Sequence, residues 1–412
     1  MTRVFVTGLG VVSSLGFGRD QFWRSITEGA TGFSPIEGFD STDLGREVAG
    51  EVKGFVARDF LTAAEARRMG RCSAYSLAAA RMAVTDAGLT DQHLAGERTS
   101  VIMGTTMGEA DVIAELEDAW IHRGPDAIDA QKIPRYGTTL LPIHLARAFG
   151  ARGMAQTLPA ACAAGNYSVA HASDLIRSGR ADVVITGASE LLQRIQFAGF
   201  VRLGAVAPDR CQPFDKNRKG LIVGEGAGVL VLESEAHAVR RHATPLAEVG
   251  GYGIACDAHH ITRPHPDGEG SYLAMMDAIS RTGVTPADID FVNAHGTGTH
   301  HNDRVESQVM HKVFGDRSIP ISSMKSMLGH CMGAASALEA VACVMTVQTG
   351  VYPPTVSYET PDPECDVNLV ANQAGRGPAE VVLNNSLAFG GYDAVVAFAR
   401  PGRVPAQAPA VQ

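Results

Sequence analysis

The sequence of 412 residues contains no dense run of lysine and arginine. It has 35 basic residues against 44 acidic ones, which gives a net charge of −9 at pH 7. Binding to nucleic acid needs a basic stripe or patch, so we expect no nucleic-acid partner. An acidic carrier protein is still compatible with this charge, because a local basic patch is enough. The candidate residues for such a patch are Arg67, Arg68, Arg71, Arg202, Arg210, Lys216, Arg218 and Lys219.

Cysteine is scarce and follows none of the spacings of a disulfide framework. The seven cysteines are odd in number and include no C-x-x-C pair, which predicts a reducing, cytoplasmic location. The N-terminus enters a strand-like run after a single arginine, without a charged region followed by an apolar one. We also find no stretch that reads as long and apolar enough to span a bilayer. The expectation is therefore a protein without a signal peptide or a membrane partner.

Strand-like runs alternate with helical patterns along the chain, which predicts an α/β fold with mostly parallel sheets. The predicted strands are Val4–Val12, Thr99–Met103, Arg152–Leu158, Ala181–Gly187, Gly226–Leu232, Ala247–Ile254, Phe291–Ala294, Ile319–Ser322, Val381–Asn384 and Ala394–Ala399. The predicted helices are Gln21–Glu28, Ala63–Ala87, Pro142–Phe149, Ser168–Ser178, Gly270–Arg281, Arg304–Phe314 and Ala334–Thr349.

The two halves of the chain repeat the same order of elements. Each has a strand, a turn of small residues and an alanine-rich helix, which starts near Cys162 in the first half and near Gly333 in the second. Each half then closes on a pair of strands. We therefore predict a duplicated fold, with a first half over residues 1–240 and a second half over 241–402. The Pro- and Ala-rich segment 403–412 is expected to be a disordered tail.

Cys162 lies between a short predicted strand and an amphipathic helix. The N-terminus of a helix stabilises negative charge, so this position favours the thiolate and predicts a lowered pKa for the thiol. The small residues around it leave room for a substrate carbonyl. On this run alone, a buried cysteine that only fills space is an equally good interpretation.

Three further motifs follow predicted strands and carry groups that can assist a thiol. A strand that ends at Ala294 leads into a loop of glycine and threonine that begins with His295. Another strand leads into a run that contains Lys325 and His330, and a third precedes the Gly-Gly turn of residues 384–393. Ligands collect at the carboxyl ends of strands in α/β sheets. A thiol and two imidazoles at such ends would form a nucleophile with acid–base and hydrogen-bonding partners.

Together these motifs resemble the β-ketoacyl-acyl carrier protein synthases, the condensing enzymes of fatty acid and polyketide synthesis. The order is a cysteine, Asn-Ala-His-Gly-Thr-Gly-Thr, Lys-Ser-x-x-Gly-His and Asn-Ser-x-x-Phe-Gly-Gly, and the resemblance runs from about Arg3 to Pro401. It implies a thiolase-like fold in which the two halves pack as a five-layered α-β-α-β-α sandwich. It also implies a homodimer that acts with an acyl carrier protein. No cofactor is expected on the chain, because phosphopantetheine arrives on the carrier.

The resemblance implies a reaction in two stages. Cys162 would take an acyl chain from the carrier thiol, and a malonyl-type extender would then lose CO₂ and attack that thioester. The backbone N–H groups of Cys162 and Phe389 would form the oxyanion hole. His295 and His330 would, as neutral imidazoles, donate hydrogen bonds to the developing enolate oxygen.

The resemblance assigns supporting roles to five residues. Lys325, paired with Glu339, would hold the environment of the second histidine, since a charge in a dry site needs its partner. Phe389 would gate the acyl pocket. Thr297 and Thr299 would hydrogen-bond the pantetheine arm, whereas the alternative for such hydroxyls is the capping of turns.

Several positions depart from the usual pattern of the family. Ala388 precedes Phe389 where glycine is common, and Tyr392-Asp393 stands where Thr-Asn or His-Asn is frequent. Lys219 replaces an aspartate that usually follows the arginine of its motif. These changes favour, as an alternative, a specialised ketosynthase of a polyketide or hybrid peptide-polyketide pathway, one that cyclises or otherwise processes a bound chain.

Two readings from other classes are kept for comparison. A non-catalytic partner subunit would share the fold but lack the nucleophile, and Cys162 argues against it. A metal-binding module matches no known ligand spacing, so we expect no metal site. Its conceivable ligands are His295, His300, His301 and Asp303, or His259, His260 and His265.

Overall fold

A computed structural model describes residues 2–405. These residues contain fifteen β-strands and thirteen α-helices. The strands are β1 Val4–Ser13, β2 Gly16–Phe17, β3 Ser34–Pro35, β4 Val48–Ala49, β5 Thr99–Gly104, β6 Ala155–Leu158, β7 Val183–Glu190, β8 Gly226–Ser234, β9 Ala247–Cys256, β10 Phe291–Asn293, β11 Ile321–Ser322, β12 Val351–Tyr352, β13 Gly375–Arg376, β14 Val381–Ala388 and β15 Tyr392–Ala399. The helices are α1 Arg19–Thr27, α2 Ala63–Ala66, α3 Arg71–Asp86, α4 Asp91–Leu94, α5 Ala110–Arg123, α6 Leu140–Phe149, α7 Ala164–Arg177, α8 Arg194–Arg202, α9 Glu235–Arg240, α10 Glu269–Thr282, α11 His300–Phe314, α12 Lys325–Leu328 and α13 Ala335–Thr349.

Eleven strands form one continuous sheet that shows the duplication directly. Its order is β11-β10-β14-β15-β9-β1-β8-β7-β5-β6, with β2 paired to β1. Each half contributes five strands to this order. Numbered by their position along the chain within the half, they lie from the sheet edge inwards as third, second, fourth, fifth and first. The fifth strand of each half is antiparallel to both of its neighbours, whereas the second is parallel to the third and to the fourth. The halves join where β1 pairs with β9 over two residue pairs, Phe5 with Glu248 and Val6 with Ala247.

The helices form three layers around the sheet, which confirms the predicted five-layered sandwich. In the first half α3 covers the outer face of β1, β7 and β8, and in the second half α10 covers β9 and β15 with α11 beside it. Between the two half-sheets lie α7 and α13, which contact strands of both halves and each other. The central apolar cluster is built on these two helices, with a separate cluster under each outer layer.

Glycine lets the outer helices approach the sheet equally closely in both halves. A Cβ on Gly10 of β1 would overlap the carbonyl oxygen of Ala79 in α3. A Cβ on Gly253 of β9 would overlap the carbonyl oxygen of Ala274 in α10 in the same way. The same contact therefore recurs in both halves, and it accounts for glycine within two strands whose interiors otherwise favour larger residues.

Three sequence predictions differ from the structure. The sheet was expected to be mostly parallel, but six of its ten described strand pairings are antiparallel, because the fifth strand of each half runs against both of its neighbours and β1 runs against β2 and β9. The helix predicted over Ala63–Ala87 is broken between α2 and α3, because the Glu109 carboxylate accepts the N–H groups of Cys72 (3.1 Å) and Ser73 (2.7 Å) at the start of α3. The tail was predicted to start at residue 403, yet Val404 is only 3 % exposed and belongs to the core of the second half. The rest of that predicted tail, 406–412, lies outside the described residues.

The central helix also differs from the expectation that no segment is long and apolar enough to span a membrane. Met332–Thr349 is helical and, by length and composition alone, apolar enough to cross a membrane. However, 89 % of this segment is buried inside the protein, where it forms the middle layer of the core.

The seven cysteines are all free, which agrees with the absence of a disulfide framework.

We predict that Gly253→Ala destabilises the fold by about 1–3 kcal/mol, because the added methyl group forces α10 away from β9. Gly199→Ala is the matched control, since the space around Gly199 in α8 is open. This control is expected to stabilise the helix by roughly 0.5–1 kcal/mol. Denaturant unfolding of both variants measures the two free energies. Equal stability of the two variants would contradict the close contact.

Candidate active site

Cys162 stands at the strained turn between β6 and α7. The strand ends at Leu158, Ala161 has a left-handed backbone with φ 46°, and the helix begins at Ala164. A residue with a side chain in this backbone region marks local strain, which is typical of functional sites. The turn directs Cys162 towards a cavity of about 440 Å³, where its side chain is nearly buried.

The second half presents His330 to the same point through an equivalent turn. Met332 also has φ 46°, and α13 begins three residues after it. The first turns of α7 and α13 lie in contact, so closely that a Cβ on Gly165 would overlap the backbone nitrogen of Ala337. As a result, Nε2 of His330 lies 3.1 Å from Sγ of Cys162.

His295 follows β10 and completes the group. Its ring centroid lies 5.5 Å from that of His330, and the two planes are nearly perpendicular at 84°. The backbone N–H groups of His295 and Gly296 donate to the two carboxylate oxygens of Glu306 at 2.6 and 2.8 Å. The side-chain amide of Asn385 donates to the same carboxylate at 2.6 Å. Glu306 therefore fixes the loop that carries His295.

Lys325 and Glu339 form the buried ion pair that the resemblance implied. Nζ of Lys325 lies 2.5 Å from Oε1 of Glu339, and both side chains are almost fully buried. Lys325 begins the short helix α12, whereas Glu339 lies on the second turn of α13. The pair places a positive charge beside the two histidines, although it makes no direct contact with Cys162.

The chain around Phe389 contributes to the same centre. The backbone N–H groups of Phe389 and Cys162 lie near the Cys162 sulfur and act to lower the pKa of its thiol, at the place assigned to the oxyanion hole. The carbonyl oxygen of Cys162 accepts hydrogen bonds from the hydroxyls of Ser336 (3.1 Å) and Ser386 (3.3 Å), which hold the turn in place. The ring of Phe389 stacks on Phe200 with centroids 5.7 Å apart, so these rings form one wall of the cavity.

The entrance of the cavity is polar. Thr297 and Thr299 line it, and their hydroxyls lie 2.9 Å apart. Further polar residues that line the cavity are Lys219, Asp257, Thr262, Arg263, His300, His301, Asn302 and Asp393, of which Lys219, Arg263, His300 and His301 are exposed at its entrance. The structure therefore brings Cys162, His295, His330, Phe389, Thr297 and Thr299 together around one cavity, whereas Lys325 and Glu339 do not line it.

The chain was compared with known families and proteins. The β-ketoacyl synthase N-terminal domain matches residues 1–238, and the β-ketoacyl synthase C-terminal domain matches residues 246–359. The chain belongs to the β-ketoacyl synthase family. It is a condensing enzyme of the acyltransferase class, active in fatty acid or polyketide synthesis.

Three relatives illustrate the range of this family. The 3-oxoacyl-[acyl-carrier-protein] synthase 2 of Synechocystis sp. is 36 % identical over 96 % of this chain and 97 % of its own length. The ishigamide ketosynthase/chain length factor is 42 % identical, covers 97 % of this chain and 100 % of its own, and superposes with a TM-score of 0.94. A type II polyketide synthase carrier protein in complex with its ketosynthase, bound to the hexaketide, matches with 32 % identity, coverage of 97 and 99 %, and a TM-score of 0.89.

Burial determines the protonation of this β-ketoacyl synthase site. It lowers the pKa of His295 and of His330 well below the usual value, and the charge of Lys325 lowers both further. Both imidazoles are therefore neutral and retain one N–H each. Burial also raises the pKa of Glu306 to about 7.

The prediction of a lowered pKa for Cys162 is wrong. Burial raises the pKa of this thiol to about 11, and this effect outweighs the Lys325 charge and the hydrogen bonds from the backbone N–H groups of Phe389 and Cys162. The helix start does supply donors to the sulfur, as expected. However, the desolvation of a thiolate costs more free energy than the interactions with these donors recover in the resting protein.

The sequence reasoning missed Glu306, Ser336 and Ser386, which support the site without lining it. A signal for Glu306 was available, because this acid lies on the buried face of α11 beside Val305 and Val309. An ionisable residue on the apolar face of a helix needs a polar partner inside the protein. The two serines carry no such signal, since small polar residues are common at helix starts and strand ends.

The metal-binding alternative finds no set of ligands. Within residues 2–405, no group of three His, Cys, Asp or Glu side chains is arranged to hold a metal ion. His300 and His301 lie instead at the cavity entrance, and Asp303 is buried, where it accepts the backbone N–H groups of Phe214 and Gly298.

Proposed function

We propose that Cys162 is the nucleophile that carries the acyl chain. The observation that carries this assignment is the 3.1 Å contact between the His330 imidazole and the Cys162 sulfur, within reach of two backbone N–H groups. In the first stage the sulfur attacks the acyl thioester of the carrier arm, a new C–S bond forms, and the pantetheine sulfur leaves. The proton of Cys162 ends on that leaving thiol. The two N–H groups stabilise the oxyanion that forms in between.

We propose that His295 and His330 serve the second stage. The malonyl-type extender loses CO₂, and the electron pair of the broken C–C bond passes into an enolate. Neutral imidazoles with their protons on Nε2 donate to the enolate oxygen, which bears charge only at this stage. The enolate carbon then attacks the Cys162 thioester, the C–S bond breaks, and the released thiolate takes up one proton. The dry cavity suits this chemistry because it strengthens each hydrogen bond.

Cys162→Ala is expected to abolish the covalent acyl-enzyme, as measured by intact mass after incubation with an acyl carrier protein or a small acyl thioester. Cys256→Ala is the control, because Cys256 is an exposed thiol that lies outside the group around Cys162. This control should retain the adduct. An adduct that persists in Cys162→Ala would overturn the assignment.

His330→Ala is expected to slow decarboxylation of a malonyl carrier protein, followed as CO₂ release, by about 10²–10³-fold, because one enolate donor is lost. Acyl transfer should be slowed less, since the backbone oxyanion hole is intact. Equal losses in both stages would contradict this division of roles.

We propose that the acidic carrier protein docks over the cavity entrance. Lys219 and Arg263 are exposed and line this entrance, and Arg202 lies on α8 next to the lining residue Leu203. Within residues 2–405 none of these three cations forms an ion pair, so their charges are available to a partner. Of the other candidates, Arg218 is buried against Asp362 and Asp303, and Arg71 and Arg210 are engaged by Glu225 and Glu359. The carrier-bound structural relative supports this partner class.

Lys219→Glu combined with Arg263→Glu is expected to raise the KM for an acyl carrier protein by about tenfold or more, because two attractions become repulsions. Acylation by a small thioester without a carrier should change little. Arg180→Glu is the matched control, since Arg180 is exposed and lies outside the cavity lining. The same loss with the small thioester would show damage to the cavity and reject the docking surface.

We propose that the chain forms a homodimer through the edge of β6. Among the strands of residues 2–405, this one ends the sheet and pairs only with β5, which leaves its other edge without a strand partner in that part of the chain. Exposed apolar side chains lie on α5, on residues 133–136 and on α6, and α6 packs against β6. The hydroxyl of Thr157 in β6 donates to the carbonyl of Thr138, which lies between the last two of these segments in the sequence. The exposed side chains are Trp120, Ile121, Ile133, Tyr136 and Ile143.

Light scattering of the purified chain is expected to give twice the monomer mass. Ile121→Asp with Ile143→Asp should lower that mass, because a desolvated charge opposes association. A stable monomer in the unsubstituted chain would reject the homodimer and favour pairing with a related chain, such as the chain length factor named for one structural relative.

We propose that the enzyme acts in the polyketide branch of the family and in the cytoplasm. Two structural relatives that match most of the chain are described as a ketosynthase/chain length factor and a type II polyketide ketosynthase. The seven free cysteines suit a reducing compartment. The proposed chemistry needs no cofactor on the chain, because the carrier supplies phosphopantetheine.

A further inference from the structure

Two carboxyl groups meet at the edge of the active-site cavity, apart from the residues assigned above. Asp393 is the second residue of β15 and is 2 % exposed, and Asp257 follows the last residue of the adjacent strand β9. Both line the cavity that holds Cys162. Asp393 is also a departure from the family pattern, which often has asparagine here.

One oxygen from each carboxyl group faces the other group. Oδ1 of Asp257 and Oδ2 of Asp393 are both buried, and neither accepts a hydrogen bond from an N–H or O–H donor in the described part of the chain. They are the two side-chain atoms nearest to the point that a Cβ on Gly270 would occupy, so they share one small space beside α10. Two ionised carboxylates in such a space repel each other strongly, whereas one shared proton converts the repulsion into a hydrogen bond.

The surroundings favour the shared proton. Burial and the negative charges of Asp257 and Glu306 together raise the pKa of Asp393 to about 9. Tyr167 of α7 also lies near Asp393, and its own pKa is raised to about 12, so it is neutral. The charges that act on Asp393 are negative, so its protonated form is the stable one at neutral pH.

The two carboxyl groups stand where the Phe389–Gly391 turn meets the loop 257–265. The N–H of Gly390 donates to the carbonyl of Ile261 at 2.7 Å, and the N–H of Asp257 donates to the carbonyl of Gly391 at 2.9 Å. The second oxygen of Asp257 accepts the N–H of His265 at 2.9 Å and so organises the loop. Any force that separates the two carboxyl groups therefore acts on the turn that presents the Phe389 N–H to Cys162.

We propose that Asp257 and Asp393 share one proton, and that this carboxyl–carboxylate hydrogen bond positions the Phe389–Gly391 turn over Cys162. Asp393 is thus a positioning residue, which acts through the turn and makes no contact with the reacting atoms. The shared proton is independent of the proposed function, whereas its effect on acylation rests on Cys162 as the nucleophile. Loss of the proton at alkaline pH would place two negative charges together and displace the turn from the sulfur.

The shared proton is tested by infrared difference spectroscopy, which requires no catalysis. The spectrum of the unsubstituted protein minus that of Asp393→Asn at pH 7.5 should show the carbonyl stretch of a protonated carboxylic acid. The band should disappear as the pH rises through about 9, the pKa of Asp393. Asp257→Asn is a second variant in case the first fails to fold, and Asp316→Asn is the control at an exposed site. Absence of the band from both difference spectra would overturn the proposal.

The positioning role is tested by the pH dependence of Cys162 acylation by a small thioester, followed by intact mass. An asparagine at 393 donates an amide hydrogen bond to Asp257 at every pH. The ratio of the Asp393→Asn rate constant to that of the unsubstituted protein is therefore expected to rise about tenfold between pH 7.5 and 10. A ratio independent of pH would reject the positioning role. Absence of any acylation of Cys162 in the unsubstituted protein would instead reject the proposed function and leave the infrared result valid.

Discussion

The contact between the first turns of α7 and α13 is the feature on which the active site depends. At this point glycine is required, because the two helix backbones almost touch at Gly165 and Ala337. Hydrogen bonds of two buried asparagine side chains hold this contact. The amide of Asn166 donates to backbone carbonyls of β14 and β15, and the amide of Asn384 donates to the side-chain oxygen of Asn166 at 2.8 Å. Because a helix start in each half is fixed against the other, residues 168 positions apart in the sequence become reaction partners.

Exclusion of water sets the resting state of the site. A thiol, two imidazoles and a buried carboxyl group all take their neutral forms, since each would lose more by ionising in a dry cavity than its neighbours return. Beside these groups, Nζ of Lys325 and Oε1 of Glu339 are in direct contact, and burial raises the pKa of Glu339. Charge in the centre therefore develops only when substrate supplies it, and donors already in place meet it without rearrangement.

The sequence predicted the architecture well because strand and helix periodicity is local, and because the motifs mark strand ends that an α/β sheet brings together. The helix predicted over Ala63–Ala87 is interrupted by a distant group, because Glu109 from another element caps the backbone at the start of α3. The predicted direction of the Cys162 pKa shift was wrong for a similar reason. The helix start is visible in the sequence, whereas the depth of burial depends on the whole fold. Glu306 likewise acquires its role only when β14 brings Asn385 beside it.

The left-handed turns at Ala161 and Met332 show how a repeated architecture divides labour. Both turns hold a strained backbone angle of 46°, at a cost of about 1–3 kcal/mol each. In the first half the next residue is Cys162, whereas in the second half it is Gly333, which has no nucleophilic side chain. The turn in the second half has the same strained backbone, but it places His330 beside the thiol of the first half. The catalytic centre is therefore built from two equivalent turns, one that carries the nucleophile and one that carries its histidine partner, so both halves contribute to it.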